Sequence, residues 1–228
     1  MPPRIPFASS SKSSRDSIWP GKVLCVGRNY RAHAEELGNP VPREPVLFLK
    51  PSTSLVPGGG RVVLPRGIGT IHHEVELAVV IGGPGVGEGV KDVPREKALD
   101  CVLGYAVMLD LTARELQSEA KSKGLPWSVS KGYDGFAPIS NIVPVEKVQD
   151  PQTLNIRLEV NGEMRQHGNT RQMLFPIAEL ISRASKIMTL EEGDIIATGT
   201  PEGVGPVAPG DKVLACIEGV GELEVSFE

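Results

Sequence analysis

The stretch His72-His73-Glu74-Val75-Glu76-Leu77-Ala78-Val79-Val80-Ile81 constrains the fold more than any other part of this chain. Its second half is apolar and largely β-branched, the composition of a buried strand, and side chains along a strand alternate between its two faces. Glu74 and Glu76 therefore point to the same side. Two carboxylates brought together on a buried strand lose hydration and repel each other, so they require protonation, a cationic partner or a bound cation. Either the strand lies at a sheet edge with both glutamates in water, or the pair belongs to a metal site.

The remainder of the chain suits a sheet-rich fold around that strand. With 26 glycines and 20 prolines in 228 residues, turns are plentiful, which fits short strands and ordered loops better than a helical bundle. Strands are expected over 22–27, 46–50, 61–64, 105–109, 127–131, 139–143, 194–198, 212–218 and 223–227. Two more, 154–160 and 163–167, flank the hairpin signal Asn161-Gly162. Helices are expected over 94–102, from a Thr112-to-Glu115 capping box to Gly124, and over 175–187, with a short helical stretch ending at Gly38. No repeat or linker divides residues 21–228, so one β-rich α+β domain is expected, of a length that supports a full core.

The segment 1–20 is different in kind. It is rich in Ser and Pro and carries Arg4, Lys12 and Arg15 against a single acid, Asp16. A flexible N-terminal tail or an organelle-targeting segment is expected there, which puts a mitochondrial location ahead of a cytoplasmic one. A formal net charge of -4 leaves no basic footprint for nucleic acid. No apolar run approaches the roughly 18 residues of a membrane span. Cys25, Cys101 and Cys216 lie far apart, without the close pairs of a zinc or redox motif, and read as reduced core residues of an intracellular protein. The glycine-rich run from Gly82 to Gly89 invites a phosphate-loop reading. It lacks both the helix directly after it and the Lys-Ser/Thr that such a loop needs, so a hairpin loop is expected.

Several residues carry chemistry in more than one reading. Asp110 ends an apolar strand just before a helix, as a capping residue or as a third oxygen donor beside the glutamates. Three oxygen donors without a cysteine select a hard cation, Mg²⁺ or Mn²⁺, over zinc. His33 and Glu36 stand three residues apart and share a face if helical. A carboxylate so placed orients an imidazole as a general base, whereas an exposed pair of this kind is ordinary solvated surface. Lys131 ends its expected strand beside Gly132, as an anion contact or as a surface lysine. The loop from Thr198 to Gly205 offers hydroxyls and N–H groups to a small carboxylate, or is simply a tight turn.

Taken together, Gly27-Arg28-Asn29-Tyr30 with His33, Glu44-Pro45-Val46-Leu47-Phe48-Leu49-Lys50-Pro51, His73-Glu74-Val75-Glu76-Leu77, Leu109-Asp110-Leu111-Thr112-Ala113-Arg114, Gly124-Leu125-Pro126-Trp127 and Thr198-Gly199-Thr200-Pro201 resemble the fumarylacetoacetate hydrolase family. The likeness is to its small single-domain acylpyruvase and oxaloacetate decarboxylase members, and it runs in order from Val23 to Phe227. It implies a mixed β-roll of the C-terminal-domain type, usually a homodimer. It implies Mg²⁺ or Mn²⁺ on Glu74, Glu76 and Asp110, a His33–Glu36 dyad on a lid with Arg28 and Tyr30, a catalytic Lys131, and substrate contacts from Gln117 and Thr200. The implied activity is on short 2-oxo acids through an enolate stabilised by the metal: acylpyruvate hydrolysis, oxaloacetate decarboxylation, or keto-enol tautomerisation of oxaloacetate. A non-catalytic metal-binding scaffold is the remaining alternative, against which stand the intact His33, Glu36 and Lys131. Two departures from the family pattern, the Gly82–Gly89 run and Arg171-Gln172 after Thr170, bear on substrate preference.

Overall fold

The computed structural model describes residues 2–8 and 16–228. Its centre is an eight-stranded mixed sheet in which the strand Val75–Ile81 is buried along its whole length. That strand pairs antiparallel with Val102–Leu109 on one side and with Ile195–Ala197 on the other. Beyond Ile195–Ala197 come the parallel strand Val23–Gly27 and then Val46–Lys50 at the edge. A five-stranded sheet contains the Asn161-Gly162 hairpin, Asn155–Val160 against Glu163–Asn169, and runs on through Lys212–Ile217 and Gly221–Phe227 to Gly60–Val62. A third sheet joins Thr112–Ala113, Ile71–His73 and Gly205–Val207. The whole is a mixed β-roll with few helices.

Strand alternation divides the core. Val75, Leu77, Val79 and Ile81 project into the larger apolar cluster, together with Leu180 and Ile181 from the helix Ile177–Ile187. Ala78 and Val80 project into a second cluster with Val23, Cys25, Ala106, Met108, Ala137 and Ile195. Glu74 and Glu76 lie on this second, small-residue face because they are in register with Ala78 and Val80.

Of the two readings of segment 1–20, the flexible tail is corrected for its described residues. Ile5–Pro6 pairs with Ser17–Ile18, and Ile5, Phe7 and Ile18 are buried in the second cluster. Three large apolar side chains outweigh a polar composition, and they close the sheet face that carries the glutamates. Residues 1 and 9–15 of that segment lie outside the described residues.

The helices are α1 (Arg31–Glu36), α2 (Arg114–Lys123), α3 (Ser128–Lys131) and α4 (Ile177–Ile187). α2 ends at Gly124 in the left-handed conformation, as the sequence indicates. Its expected capping box does not form. Thr112 is in a short strand, and Glu115 instead accepts hydrogen bonds from the N–H and hydroxyl of Thr70. Residues 127–131 form one turn of helix where a strand was expected, since Ser130 and Lys131 both donate backbone N–H groups to Trp127. The helix expected over 94–102 is the 3₁₀ segment Arg95–Cys101, and the strand expected over 139–143 is two shorter pieces, Ala137–Ile139 and Val143–Pro144. The three cysteines are free thiols. Among the described residues no helix is long and apolar enough to cross a membrane.

Asn29, fully buried, ties three segments together just after the Val23–Gly27 strand. Its side-chain amide donates to the carbonyls of Phe175 (3.1 Å) and Thr198 (2.7 Å) and accepts the N–H of Phe175 (2.8 Å). Gly199 packs against it: at φ +94° a side chain is strained, and a Cβ there would come within 2.7 Å of the Asn29 Cβ. Asn29→Ala leaves three buried backbone groups unpaired and is expected to cost about 2–4 kcal/mol, measured as a lower urea midpoint at unchanged m-value.

Candidate metal centre and substrate pocket

The acid cluster follows from sheet register. Val75 pairs with Leu109, so the next position places Glu74 opposite Asp110, whose N–H donates to the Glu74 carbonyl at 2.8 Å. Glu76 lies two residues along on the same face. All three are buried, and one carboxylate oxygen from each lies within 4.8 Å of the others. The sheet-edge reading of the glutamates is thereby set aside, as is the capping reading of Asp110, since α2 starts beyond it with no side-chain cap.

Three cations pair with Glu74 and Asp110, and among the described residues none pairs with Glu76. Lys131 Nζ donates to Glu74 Oε2 (2.9 Å) and to Asp110 Oδ2 (2.5 Å). Arg114 pairs with Glu74 Oε1. Lys50, also buried, lies 2.9 Å from Asp110 Oδ1 and donates to the carbonyls of Leu111, Lys131 and Phe136. The environments split the two glutamates. Burial alone pushes the Glu74 carboxyl up, but Lys131 and Arg114 outweigh it and hold the group well below the ordinary range. Burial also raises Glu76, and Asp110 and Glu74 raise it further, well above a normal glutamate. Its hydrogen-bonded partner is the Gly199 N–H, 2.8 Å from Oε2. Burial lowers Lys131, but Asp110 and Glu74 more than restore it, so it stays an ammonium.

One pocket is lined by Arg28, His33, Glu74, Glu76, Asp110, Gln117, Lys131 and Thr200, so most of the residues singled out from the sequence converge on it. Two do not line it. Tyr30 is buried beneath, with a hydroxyl that has no partner among the described residues and a pKa raised by burial and by Glu76. Glu36 accepts the Gly203 N–H on both oxygens (3.0 and 3.1 Å) and stands 3.7 Å from His33 Nδ1, without a hydrogen bond. Glu36 therefore latches α1 to the 198–205 loop, and His33 and Glu36 do not form a closed dyad in this geometry. His33 itself is buried, which lowers its pKa and keeps the ring neutral near neutral pH.

Lys131 is not the surface lysine of one reading; α3 turns it inward over the Phe48 ring, 4.9 Å from its centroid. Gln117 accepts from Arg114 (2.7 Å) through its amide oxygen, and Thr200 accepts from Gln166 (2.8 Å). The Gln117 N–H₂ and the Thr200 O–H are left as donors at the pocket. Arg114, Lys50 and Gln166 carry roles that the sequence reading did not assign. For Arg114 a signal existed, since it stands three residues before Gln117 on the same helix face. Arg171-Gln172 has a local explanation: Gln172 accepts the Asn169 N–H and Asn169 accepts that of Arg171, capping a 3₁₀ turn.

A centre of three buried carboxylate donors fits a hard divalent ion, and Glu76 and Asp110 offer oxygens that their protein partners do not saturate. Glu76→Gln is expected to weaken Mn²⁺ binding by at least an order of magnitude while the metal-free protein keeps or gains stability, because the variant replaces a carboxyl that burial and its two acidic neighbours disfavour as an anion. Calorimetric titration and urea unfolding of the same preparations check this, and unchanged affinity would remove the three acids from the site. Lys50→Met removes the cation beside Asp110 Oδ1 and takes from the Leu111 and Lys131 carbonyls the donor they have in Lys50, with an expected loss of about 3–5 kcal/mol by the same unfolding measurement.

Comparison with known proteins gives a consistent answer. The family model described as fumarylacetoacetate (FAA) hydrolase C-terminal matches residues 22–228. The chain is 54% identical over 207 residues to a protein of Arabidopsis thaliana named oxaloacetate tautomerase FAHD1, mitochondrial, covering 91% of each chain. It is 49% identical to the protein of that name in Bos taurus, over 97% of this chain and 98% of the other. Among solved structures, fumarylpyruvate hydrolase from Pseudomonas aeruginosa, crystallised with Mn²⁺ and pyruvate, superposes with a TM-score of 0.91 at 38% identity, covering 99% of this chain and 95% of that one.

Proposed function

The chain belongs to the fumarylacetoacetate hydrolase family, and from that premise we propose that it is a Mg²⁺- or Mn²⁺-dependent enzyme that interconverts the keto and enol forms of oxaloacetate. The observation that carries the reading is the convergence, in one pocket, of the three acids, the Lys131 ammonium and a neutral, buried His33. Relatives at about half identity over nearly their full length are named for that reaction.

Glu74, Glu76 and Asp110 would hold the ion, which when bound polarises the 2-oxo group and steadies the negative charge of an enolate. The protein's own groups do the rest. His33, neutral because it is buried, would take the proton from C3 and deliver it to the C2 oxygen, which gives the enol, and the reverse transfer restores the keto form. Lys131, fixed by Glu74 and Asp110, places a permanent positive charge where the enolate oxygen develops. Arg114 orients Gln117, so that its N–H₂ and the Thr200 hydroxyl grip the substrate carboxylate. Phe48, Trp127 and Val26 form the apolar wall that limits water.

Acylpyruvate hydrolysis is the second reading, favoured by the likeness to the Pseudomonas enzyme seen with pyruvate. There His33 would take the proton of the water that attacks the distal carbonyl. Oxaloacetate decarboxylation would pass through the same enolate. A mitochondrial location accords with the names of the relatives. A homodimer accords with the apolar side chains exposed beside the edge strand Val46–Lys50, Leu49 at 43%, Leu125 at 54% and Val129 at 62%, and light scattering tests it.

With Mn²⁺ or Mg²⁺, tautomerisation of oxaloacetate is expected to exceed both acetylpyruvate cleavage and decarboxylation in kcat/KM, and EDTA should abolish all three. Spectrophotometric assay of the three reactions on one preparation decides. His33→Ala should lower tautomerisation by roughly two to four orders of magnitude, as for loss of a general base. A loss below tenfold in all three would show that His33 only helps to close the lid.

A further inference from the structure

Two cations on the pocket wall remain outside the charge balance of the acid cluster. Arg28 and Lys121 both line the pocket, yet among the described residues neither side chain makes an ion pair or a hydrogen bond. Their neighbours Arg114, Lys131 and Lys50 are all engaged by the acids. Unpaired, half-buried cations facing one cavity repel each other. Burial makes Lys121 harder to protonate, and Arg28 and Arg114 add to that effect.

The chain holds both residues in place. Arg28 sits in the left-handed region at φ +59°, an uncommon conformation for a residue with a Cβ. The adjacent Asn29 network over Phe175 and Thr198 fixes it there. Strain kept by such over-determined contacts points to a use for the side chain. Lys121 shares a face of α2 with Arg114 and Gln117, at i+7 and i+4. Arg114 is on the acid cluster, and Lys121 lies two turns away, about 10 Å along the helix axis. That face therefore runs from the acids, past the Gln117 amide, to a second positive pole.

We propose that Arg28 and Lys121 form a subsite for the distal carboxylate of the substrate, so that the pocket selects dicarboxylic over monocarboxylic 2-oxo acids. The inference rests on the 2-oxo acid reading above and adds the substrate's second charge to it. The distal anion neutralises the Arg28–Lys121 repulsion that the free protein bears, so its binding is strengthened by relief as well as by attraction. Lys121 acts on binding, not on proton transfer, so the effect falls on KM.

The test compares oxaloacetate with acetylpyruvate, which ends in a methyl ketone, on Mn²⁺-loaded protein. Lys121→Gln is expected to reduce the preference in kcat/KM for oxaloacetate by about tenfold, mainly through KM, and Lys121→Arg to restore it. Arg28→Asn, which tolerates the left-handed backbone, should act in the same direction. An unchanged preference, or equal losses on both substrates, would overturn the subsite. Wild-type protein that turns over neither compound would instead refute the function proposed above. The subsite is then read by calorimetry with fumarate and crotonate, which differ only in the distal carboxylate. Selective weakening of fumarate by Lys121→Gln sustains it, and no selective weakening overturns it.

Discussion

Charge compensation in a dry interior is the constraint on which this structure depends. Three carboxylates are buried together, and each would be prohibitively costly alone. Lys131, Arg114 and Lys50 meet Glu74 and Asp110 as close ion pairs, Glu76 accepts the Gly199 N–H, and the carbonyls of Leu111 and Phe136 complete the network around Lys50. The cations come from three separated parts of the chain, the Val46–Lys50 strand and helices α2 and α3. Electrostatics thus ties distant elements to one point, the pocket that the three acids line.

The sheet makes that locus rigid. Glu74, Glu76 and Asp110 lie at the end of the antiparallel pair Val75–Ile81 and Val102–Leu109, so their spacing is set by strand register and not by loop conformation. A shift of one residue would turn both glutamates into the larger apolar cluster. Small residues beneath them, Ala78, Ala106 and Ala137, leave room for the N-terminal hairpin to seal that face with Ile5, Phe7 and Ile18. Against this fixed floor stand the elements that line the opposite side of the pocket, α1 and the 198–205 loop, joined through Glu36 and Gly203. A rigid charged floor with a latched cover is suited to stabilising an enolate while limiting water.

Functional weight also falls where local conformation is least typical. Arg28 has a positive φ, and Gly199 occupies a position where a Cβ would collide with Asn29. Both flank the Asn29 knot, which joins the end of Val23–Gly27 to the loop presenting Thr200. The strain is local, and buried hydrogen bonds of the surrounding segments hold it.

The sequence alone determined the central strand, the same-face placement of Glu74 and Glu76, the Asn161-Gly162 hairpin and the end of α2 at Gly124, because alternation and turn chemistry act over a few residues. Family motifs added the wider list of site residues. The sequence did not reveal which cation meets which acid, since Lys50, Arg114 and Lys131 are far apart in the chain and sheet topology alone brings them together. Local preference misled at Trp127–Lys131, where the inward pull of the acids on Lys131 favours a helical turn, and at Thr112, where pairing with His72 displaces the cap. Composition misled at residues 2–8 and 16–20, whose few large apolar side chains find a place in the core only once the sheet exists. What only the tertiary structure decided was the pairing of charges, because burial, which makes each charge costly and each partner necessary, is a property of the folded whole.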